Sequence, residues 1–255
     1  MSISSQAELD GMTAVSKAVA YTLKMMREYA KPGMSTKTLD DYGKQILEKM
    51  GANSAPYLTY KFPGYTCISV NNEIAHGIPS EQRILQNGDL VNIDVSAELN
   101  GFWADNGGSF ILGDDLQGLQ PLVSASKRIL YKAIHEIHGG VKINEIGGLI
   151  SREARKSGFT VIKNLVGHGV GRGLHEAPHE IPCFHDRHNR AKFKINSVVA
   201  VETFISTKGT EAFTDQNDGW TLKGIDGTFV AQHEHTILIT DSKPIILTLG
   251  NEIWN

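Results

Sequence analysis

Apolar residues recur every three or four positions from Leu9 to Ala30, which predicts an amphipathic helix. Pro32-Gly33 ends this helix, and Ser35 or Thr36 can cap a second one. The second helix is predicted to stop at Gly51 and to direct four apolar residues inward: Leu39, Tyr42, Ile46 and Met50. Residues 54–70, rich in tyrosine and phenylalanine, then read as loop and strand.

The same pattern returns later in the chain. A shift of 107 residues places Gly140 on Gly33 and Gly158 on Gly51, with apolar helical stripes between the matched glycines. Two amphipathic helix pairs can look alike by chance, but the matched glycines favour a duplication. Similar halves, roughly residues 8–110 and 115–240, predict an α/β (α+β) protein with helices over one shared antiparallel sheet. No low-complexity linker separates them, so residues 1–255 are expected to form a single domain.

The pair Asn100-Gly101 lies between two strand-like runs, and Asn-Gly in this setting predicts a hairpin with a type I′ turn. With a two-residue turn, Leu99 faces Phe102. Asp94 and Asp105 then lie on one face as diagonal neighbours, roughly 7–8 Å apart at the backbone. Like charges about 4 Å apart repel by roughly 4 kcal/mol at a surface-like effective dielectric. Either a positive group lies between the two aspartates, or the hairpin holds them in water.

Composition narrows the class of protein. The chain has 255 residues, of which 40% are hydrophobic and 21% charged, as in an ordinary globular protein. A net charge of −3 gives no basic patch for nucleic acid or an anionic membrane. No segment reads as a membrane span or a signal peptide. Only Cys67 and Cys183 are present, which fits a reducing compartment, so we expect a cytoplasmic protein.

Two further carboxylates, Glu202 and Glu234, interrupt apolar strands, where a carboxylate is almost never buried without a partner. A lysine or arginine partner, or a solvated face, explains any one of them. Four strand carboxylates together, with His168 among alternating glycines, instead indicate an oxygen-rich site for two ions of Mn, Fe, Co or Zn. Two divalent cations would balance the four negative charges. His233 and His235 flank Glu234 and should point to the opposite face.

A set of short motifs now follows one order along the chain: His76-Gly-Ile-Pro, Asn92-Ile-Asp94, Asp105, Gly167-His168-Gly-Val-Gly-Arg-Gly-Leu-His175, Glu202 and Glu234-His-Thr. Over nearly the whole chain this set resembles the type I methionine aminopeptidases. The resemblance implies the pita-bread fold, whose pseudo-twofold halves pack helices over a curved, mainly antiparallel sheet. It also implies a metallo-exopeptidase that removes the initiator methionine from nascent polypeptides. We expect a monomer and leave docking on the ribosome open.

Carried onto this sequence, the resemblance implies that Asp94 holds one divalent ion and that His168 and Glu202 hold the other. Asp105 and Glu234 would bridge both ions, whose identity stays open among Co, Mn, Fe and Zn. A metal-bound water or hydroxide would attack the first peptide carbonyl. Glu202 would move the proton as general base and acid.

The resemblance also implies roles toward the substrate. His175 would hydrogen-bond and polarise the substrate carbonyl, and His76 would meet the nitrogen of the scissile amide. The free α-amine of the substrate would bind a metal, which explains an exopeptidase. The methionine pocket is expected to be formed by four residues: Phe62, Cys67, Leu174 and Trp220.

Several positions depart from the family pattern. Thr203 stands where proline is usual, and Trp103 to Asn106 replaces the commoner His-Gly-Asp-Thr. Pro56, Thr59 and Leu174 stand near positions that are often cysteine, tyrosine and phenylalanine. These changes leave open an aminopeptidase with another first-residue preference. A non-catalytic peptide-binding paralogue is the other alternative, but such a protein should have lost a metal ligand, and none is lost.

Overall fold

Each half of the chain begins with a pair of long helices that is followed by a short strand and later by a pair of long strands. The computed structural model describes residues 1–254. Its α-helices are α1 Gln6–Tyr29, α2 Thr36–Lys49, α3 Ala55–Tyr60, α4 Gln120–His135 and α5 Ile143–Lys156. Its strands are β1 Asn53–Ser54, β2 Cys67–Val70, β3 Glu73–Ala75, β4 Leu90–Leu99, β5 Phe102–Ile111, β6 Thr160–Val161, β7 Val166–Gly169, β8 Glu176–Pro182, β9 Val198–Ser206, β10 Phe213–Thr214, β11 Leu222–Lys223, β12 Val230–Leu238 and β13 Ile245–Ile246. A 3₁₀ turn covers Leu249–Asn251.

The main sheet is antiparallel and has the strand order β1-β4-β5-β12-β9-β7-β8, with β2 paired to β4 and β6 paired to β9. The long hairpin β4-β5 in the first half corresponds to the long pair β9-β12 in the second. The pseudo-twofold axis therefore passes between β5 and β12, where the halves join. A smaller sheet has the order β10-β11-β3.

The duplication predicted from the glycine spacing is confirmed at the level of single residues. Shifting α2 by 107 residues gives the bounds of α5, and the same shift takes β1 onto β6. The matched glycines also share a backbone conformation, because φ is +88° at Gly33 and +91° at Gly140. At Gly51 and Gly158 the angles are +74° and +81°. A positive φ strains any residue with a side chain, so these positions favour glycine.

The long helices α1 and α4 cover one face of the sheet. α1 packs on β4 and β5, and α4 packs on β9 and β12. The apolar stripe of α1 is buried there, and fully burying one such side chain contributes about 1.5–3 kcal/mol. Ser5 caps α1 by accepting a hydrogen bond from the Glu8 amide. Within residues 1–254, no helix is both long enough and apolar enough to cross a membrane.

Two local predictions are wrong. Met50 does not point inward: it lies beyond the last helical residue, Lys49, and is 39% exposed. The segment 54–70 is not simply loop and strand, because α3 forms within it. Ser54 starts this short helix by accepting a hydrogen bond from the Tyr57 amide. Pro56 lies in the first turn, where its missing N–H costs nothing.

A matched pair of substitutions tests the packing of α5. In Gly147→Ala the new methyl would overlap the carbonyl oxygens of Pro182 and Phe184, which cannot move without shifting β8. We expect the free energy of unfolding to fall by about 1–3 kcal/mol in denaturant titrations. In Gly148→Ala the nearest atoms are side-chain atoms of Arg152 at 3.3 Å and His185 at 3.4 Å. That control should change stability by less than about 1 kcal/mol. Equal stability of the two variants would contradict the packing described.

Candidate active site

The β4-β5 hairpin places two carboxylates on the face of the sheet turned away from the helices. Asn100 and Gly101 have φ values of +53° and +79°, as a type I′ turn requires. Asp94 pairs with Gly107 in the ladder, and Asp105 pairs with Ser96. The predicted register is therefore confirmed, with Asp94 and Asp105 as diagonal neighbours. Their carboxyl groups lie close enough for each to influence the pKa of the other.

The second half of the chain brings three more side chains to the same place. Glu234 on β12 lies directly opposite Glu202 on β9, and His168 on the neighbouring β7 lies opposite Ala200. The Nε2 atom of His168 is 3.8 Å from Oδ2 of Asp105. Ligand atoms of Asp105, His168 and Glu234 all lie within 4.8 Å of one another. Asp94 and Glu202 line the same cavity, so all five predicted ligands meet there.

The electrostatics of this cluster are unfavourable without added positive charge. The described ion pairs give none of the four carboxylates a lysine or arginine partner. Burial, reinforced by neighbouring carboxylates, raises the pKa of Asp94 and of Glu234 well above the usual range. Burial, again with the Asp105 charge, raises the pKa of Glu202 to about 8. Burial also raises the pKa of Asp105 to about 6.

The residues fit a divalent metal site. Oδ1 of Asp105 and Oε1 of Glu234 are buried in the described structure without a hydrogen-bond partner, which is costly for a carboxylate oxygen. Burial lowers the pKa of His168 to about 4, so its ring is neutral and has a free lone pair. The Nδ1 atom of His168 lies 3.0 Å from the Gly169 carbonyl, which leaves Nε2 for a ligand. Oxygen donors with one imidazole suit Mn, Fe, Co or Zn.

Gln232 belongs to this cluster although the sequence analysis did not single it out. Its Nε2 donates to Oε2 of Glu234 at 3.0 Å and lies 3.3 Å from Oε2 of Glu202. Its Oε1 accepts from Asn92 at 2.8 Å, which fixes the orientation of the amide. A methyl at Gly107 would overlap this amide, so the glycine gives Gln232 its space. Alternate residues of a strand point to the same face, and Gln232 lies two residues before Glu234. The sequence therefore carried a signal that Gln232 shares the face of Glu234.

A cavity of about 390 Å³ opens above the cluster. It is lined by every residue that was predicted to face the substrate: His76, His175, Phe62, Cys67, Leu174 and Trp220. Trp220 meets Phe62 edge to face, with ring centroids 5.4 Å apart. Pro56 also lines the cavity, whereas Thr59 is exposed outside it. Tyr60, Asn164 and His179 also line the cavity and were not predicted from the sequence.

The two histidines that were predicted to face the substrate, His76 and His175, have environments that favour the neutral ring. Burial lowers the pKa of His76, and the nearby His175 lowers it further. Burial likewise lowers the pKa of His175. The rings of His175 and His168 are 4.2 Å apart at their centroids. His76 has a φ of +54°, an uncommon conformation that directs its side chain from the end of β3 into the cavity.

Two departures from the family pattern next to the proposed ligands, Thr203 and Asn106, lie on the face covered by α1 and α4. Thr203 Oγ1 is 3.1 Å from Ser126 of α4, and Asn106 donates to the Val95 carbonyl at 2.9 Å. His233 and His235 also hydrogen-bond on that face, to Ser126 and Thr248, as the strand alternation predicted. These residues therefore support the strands from behind and do not enter the cavity.

Comparisons with known proteins agree with this geometry. Residues 10–241 match metallopeptidase family M24. Methionine aminopeptidase 2 of Bacillus subtilis strain 168 is 49% identical over 248 residues, which cover 97% of this chain and 99% of that protein. A methionine aminopeptidase of Staphylococcus epidermidis is 41% identical over 97% of this chain and 98% of its own. The crystal structure of methionine aminopeptidase from Thermotoga maritima has a TM-score of 0.91 at 33% identity, covering 97% and 99% of the two chains.

The proposed division between metal ligands and substrate-facing groups can be tested by metal content. Asp105→Asn removes one negative charge from the centre of the cluster, so its affinity for a divalent cation should fall by more than about tenfold. His175→Ala is the matched control, because it lies on the same cavity wall and should keep the wild-type metal stoichiometry. Titration with Co²⁺ or Mn²⁺, followed by calorimetry, measures both. Loss of metal from His175→Ala would mean that a ligand has been mistaken for a substrate contact.

Proposed function

Because this chain belongs to metallopeptidase family M24, we propose that it removes the N-terminal methionine from polypeptide chains as a metal-dependent aminopeptidase. The observation that carries this proposal is the cluster of four carboxyl groups and one neutral imidazole at the floor of a single cavity. Relatives named methionine aminopeptidases match nearly the full length of the chain, which supports the same activity here.

The cofactor is proposed to be a pair of divalent cations. Asp94 would hold one ion, His168 and Glu202 would hold the other, and Asp105 and Glu234 would serve both. Two charges of +2 balance the four carboxylates. The buried oxygens of Asp105 and Glu234 that lack a hydrogen-bond partner support their bridging role. The donor set leaves Mn, Fe, Co and Zn as candidates.

Bound cations would polarise the substrate carbonyl and lower the pKa of water at the site. Glu202 acts as the proton carrier. Gln232 lies against Oε2 of Glu202, which leaves Oε1 free to take a proton from water and return it to the departing amine.

The neutral histidines act on the two atoms of the scissile amide. His175 donates an N–H to the carbonyl oxygen, where negative charge increases as the bond is attacked. His76, which lines the same cavity, meets the amide nitrogen. Neither role requires a charged ring, which agrees with the lowered pKa values of both groups.

The first side chain of the substrate is proposed to enter the pocket formed by Phe62, Cys67, Leu174 and Trp220. Cys67 pairs with Asp94 between β2 and β4, so the pocket begins beside a proposed metal ligand. A substrate held by its α-amine at the metals would therefore extend its first side chain into this pocket. The unbranched thioether of methionine suits such an aromatic lining.

We also propose that residues 1–255 act as one catalytic domain, since strands from both halves of the chain form the metal cluster. The working form is a cytoplasmic monomer that meets the N-termini of nascent polypeptides, and ribosome docking stays open. The buried, unpaired thiols of Cys67 and Cys183 fit a reducing compartment.

A peptide panel tests the substrate assignment. Metal-loaded protein should cleave Met-Ala and Met-Gly peptides with a kcat/KM at least about tenfold above that for Leu-initiated peptides. Peptides that begin with proline should also be poor substrates, because the pocket fits a flexible, unbranched side chain. Release of the first residue by chromatography is the readout. A preference for leucine or proline would establish another specificity, and peptide binding without cleavage would identify a binding paralogue.

A further inference from the structure

A hydrogen bond joins Tyr60 to His175 across the mouth of the cavity. The Oη atom of Tyr60 is 2.7 Å from Nδ1 of His175, and the ring centroids are 6.0 Å apart. Tyr60 is the last residue of α3 in the first half of the chain, whereas His175 follows β7 in the second half. The ring of Tyr60 is 47% exposed, so its hydroxyl contact is not a by-product of core packing.

The ring of His175 needs a contact from another part of the chain to fix its orientation, because its own backbone segment can adopt many conformations. It follows a run in which every second residue from Gly167 to Gly173 is glycine, and the stretch from Val170 to Leu174 contains no strand or helix. The ring of His168 packs beside it but forms no hydrogen bond with it that would select one ring nitrogen.

Tyr60 is held firmly enough to give that support. The cap residue of α3, Ser54, pairs with Ala97 of β4 and donates its hydroxyl to the Tyr65 carbonyl at 2.7 Å. The same oxygen of Ser54 accepts the Tyr57 amide at 3.3 Å. The short helix is thus anchored to the strand that carries Asp94, and its end lies over the cavity.

The chemistry of the two groups sets the direction of the hydrogen bond. A phenol O–H is a stronger donor than the N–H of a neutral imidazole, and imidazole nitrogen is the better acceptor. Burial and the charge of Asp105 raise the pKa of Tyr60, so the hydroxyl keeps its proton. When Nδ1 accepts, a neutral ring carries its hydrogen on Nε2.

We propose that Tyr60 is a positioning residue that holds His175 in the Nε2–H tautomer and aims this N–H at the carbonyl of the first peptide bond. The inference rests on the proposed function, in which His175 donates to that oxygen. Without Tyr60 the ring populates both tautomers, and one of them presents a lone pair to the carbonyl oxygen.

The tautomer can be measured without activity. In ¹⁵N-histidine-labelled, metal-free protein, the Nδ1 of His175 should show the chemical shift of an unprotonated ring nitrogen, and Nε2 that of a protonated one. Tyr60→Phe should move both shifts toward their mean, while Tyr57→Phe should leave them unchanged. Tyr57 is a matched control, since it is an exposed tyrosine of the same helix whose ring stacks on Tyr65. Unchanged shifts in Tyr60→Phe would overturn the proposal.

Kinetics give an independent readout. Tyr60→Phe should lower kcat on a Met-Ala peptide by about tenfold with little change in KM, because the lost bond serves the transition state. In a His175→Ala background the same substitution should have no further effect on kcat. An equal fall in that background would overturn the proposal, because Tyr60 would then act without His175. If wild-type protein failed to cleave Met-Ala, the proposed function would fail, and the ¹⁵N shifts would still decide the tautomer.

Discussion

Mutual repulsion of four carboxyl groups on one buried face is the constraint on which this site depends. A pair of like charges about 4 Å apart costs roughly 4 kcal/mol even at a moderate effective dielectric. The amide of Gln232 contributes about 0.5–3 kcal/mol per hydrogen bond and cannot offset several such pairs. The carboxyls must therefore take up protons, as their raised pKa values indicate, or share divalent cations. A metallopeptidase uses the second solution.

The duplicated fold is the reason why these groups meet. The β4-β5 hairpin of the first half supplies Asp94 and Asp105, and the strands of the second half supply His168, Glu202 and Glu234. The two sets face each other only because β5 and β12 are neighbours at the junction. The groups proposed to face the substrate follow the same division, with His76 from one half and His175 from the other. The cavity therefore forms only where the two halves of the chain share one sheet.

Much of this architecture could be predicted from the sequence because the signals are local or periodic. The pair Asn100-Gly101 determines a turn, and the turn determines the register that brings Asp94 and Asp105 together. The glycines at Gly33 and Gly140 mark equivalent turns in the two halves. Carboxylates inside apolar strands are conspicuous because such residues are so rarely buried alone.

Other features have a weak local signal or none. The aromatic residues after Ser54 are of a type that is common in strands, but the cap and Pro56 favour a short helix. Gln232 is an ordinary polar residue until the register places it between two glutamates. The contact between Tyr60 and His175 joins residues 115 positions apart, and only the folded chain brings them together. Contacts of this kind determine how the predicted residues are oriented.

Anomalous diffraction from crystals of metal-loaded protein tests the central claim most directly. Data collected at the absorption edge of bound Mn or Co should show two peaks among the five ligands. One peak should lie against Asp94 and the other against His168 and Glu202, with Asp105 and Glu234 touching both. No peak in this cavity, or a single ion that leaves one of the five residues without contact, would contradict the account.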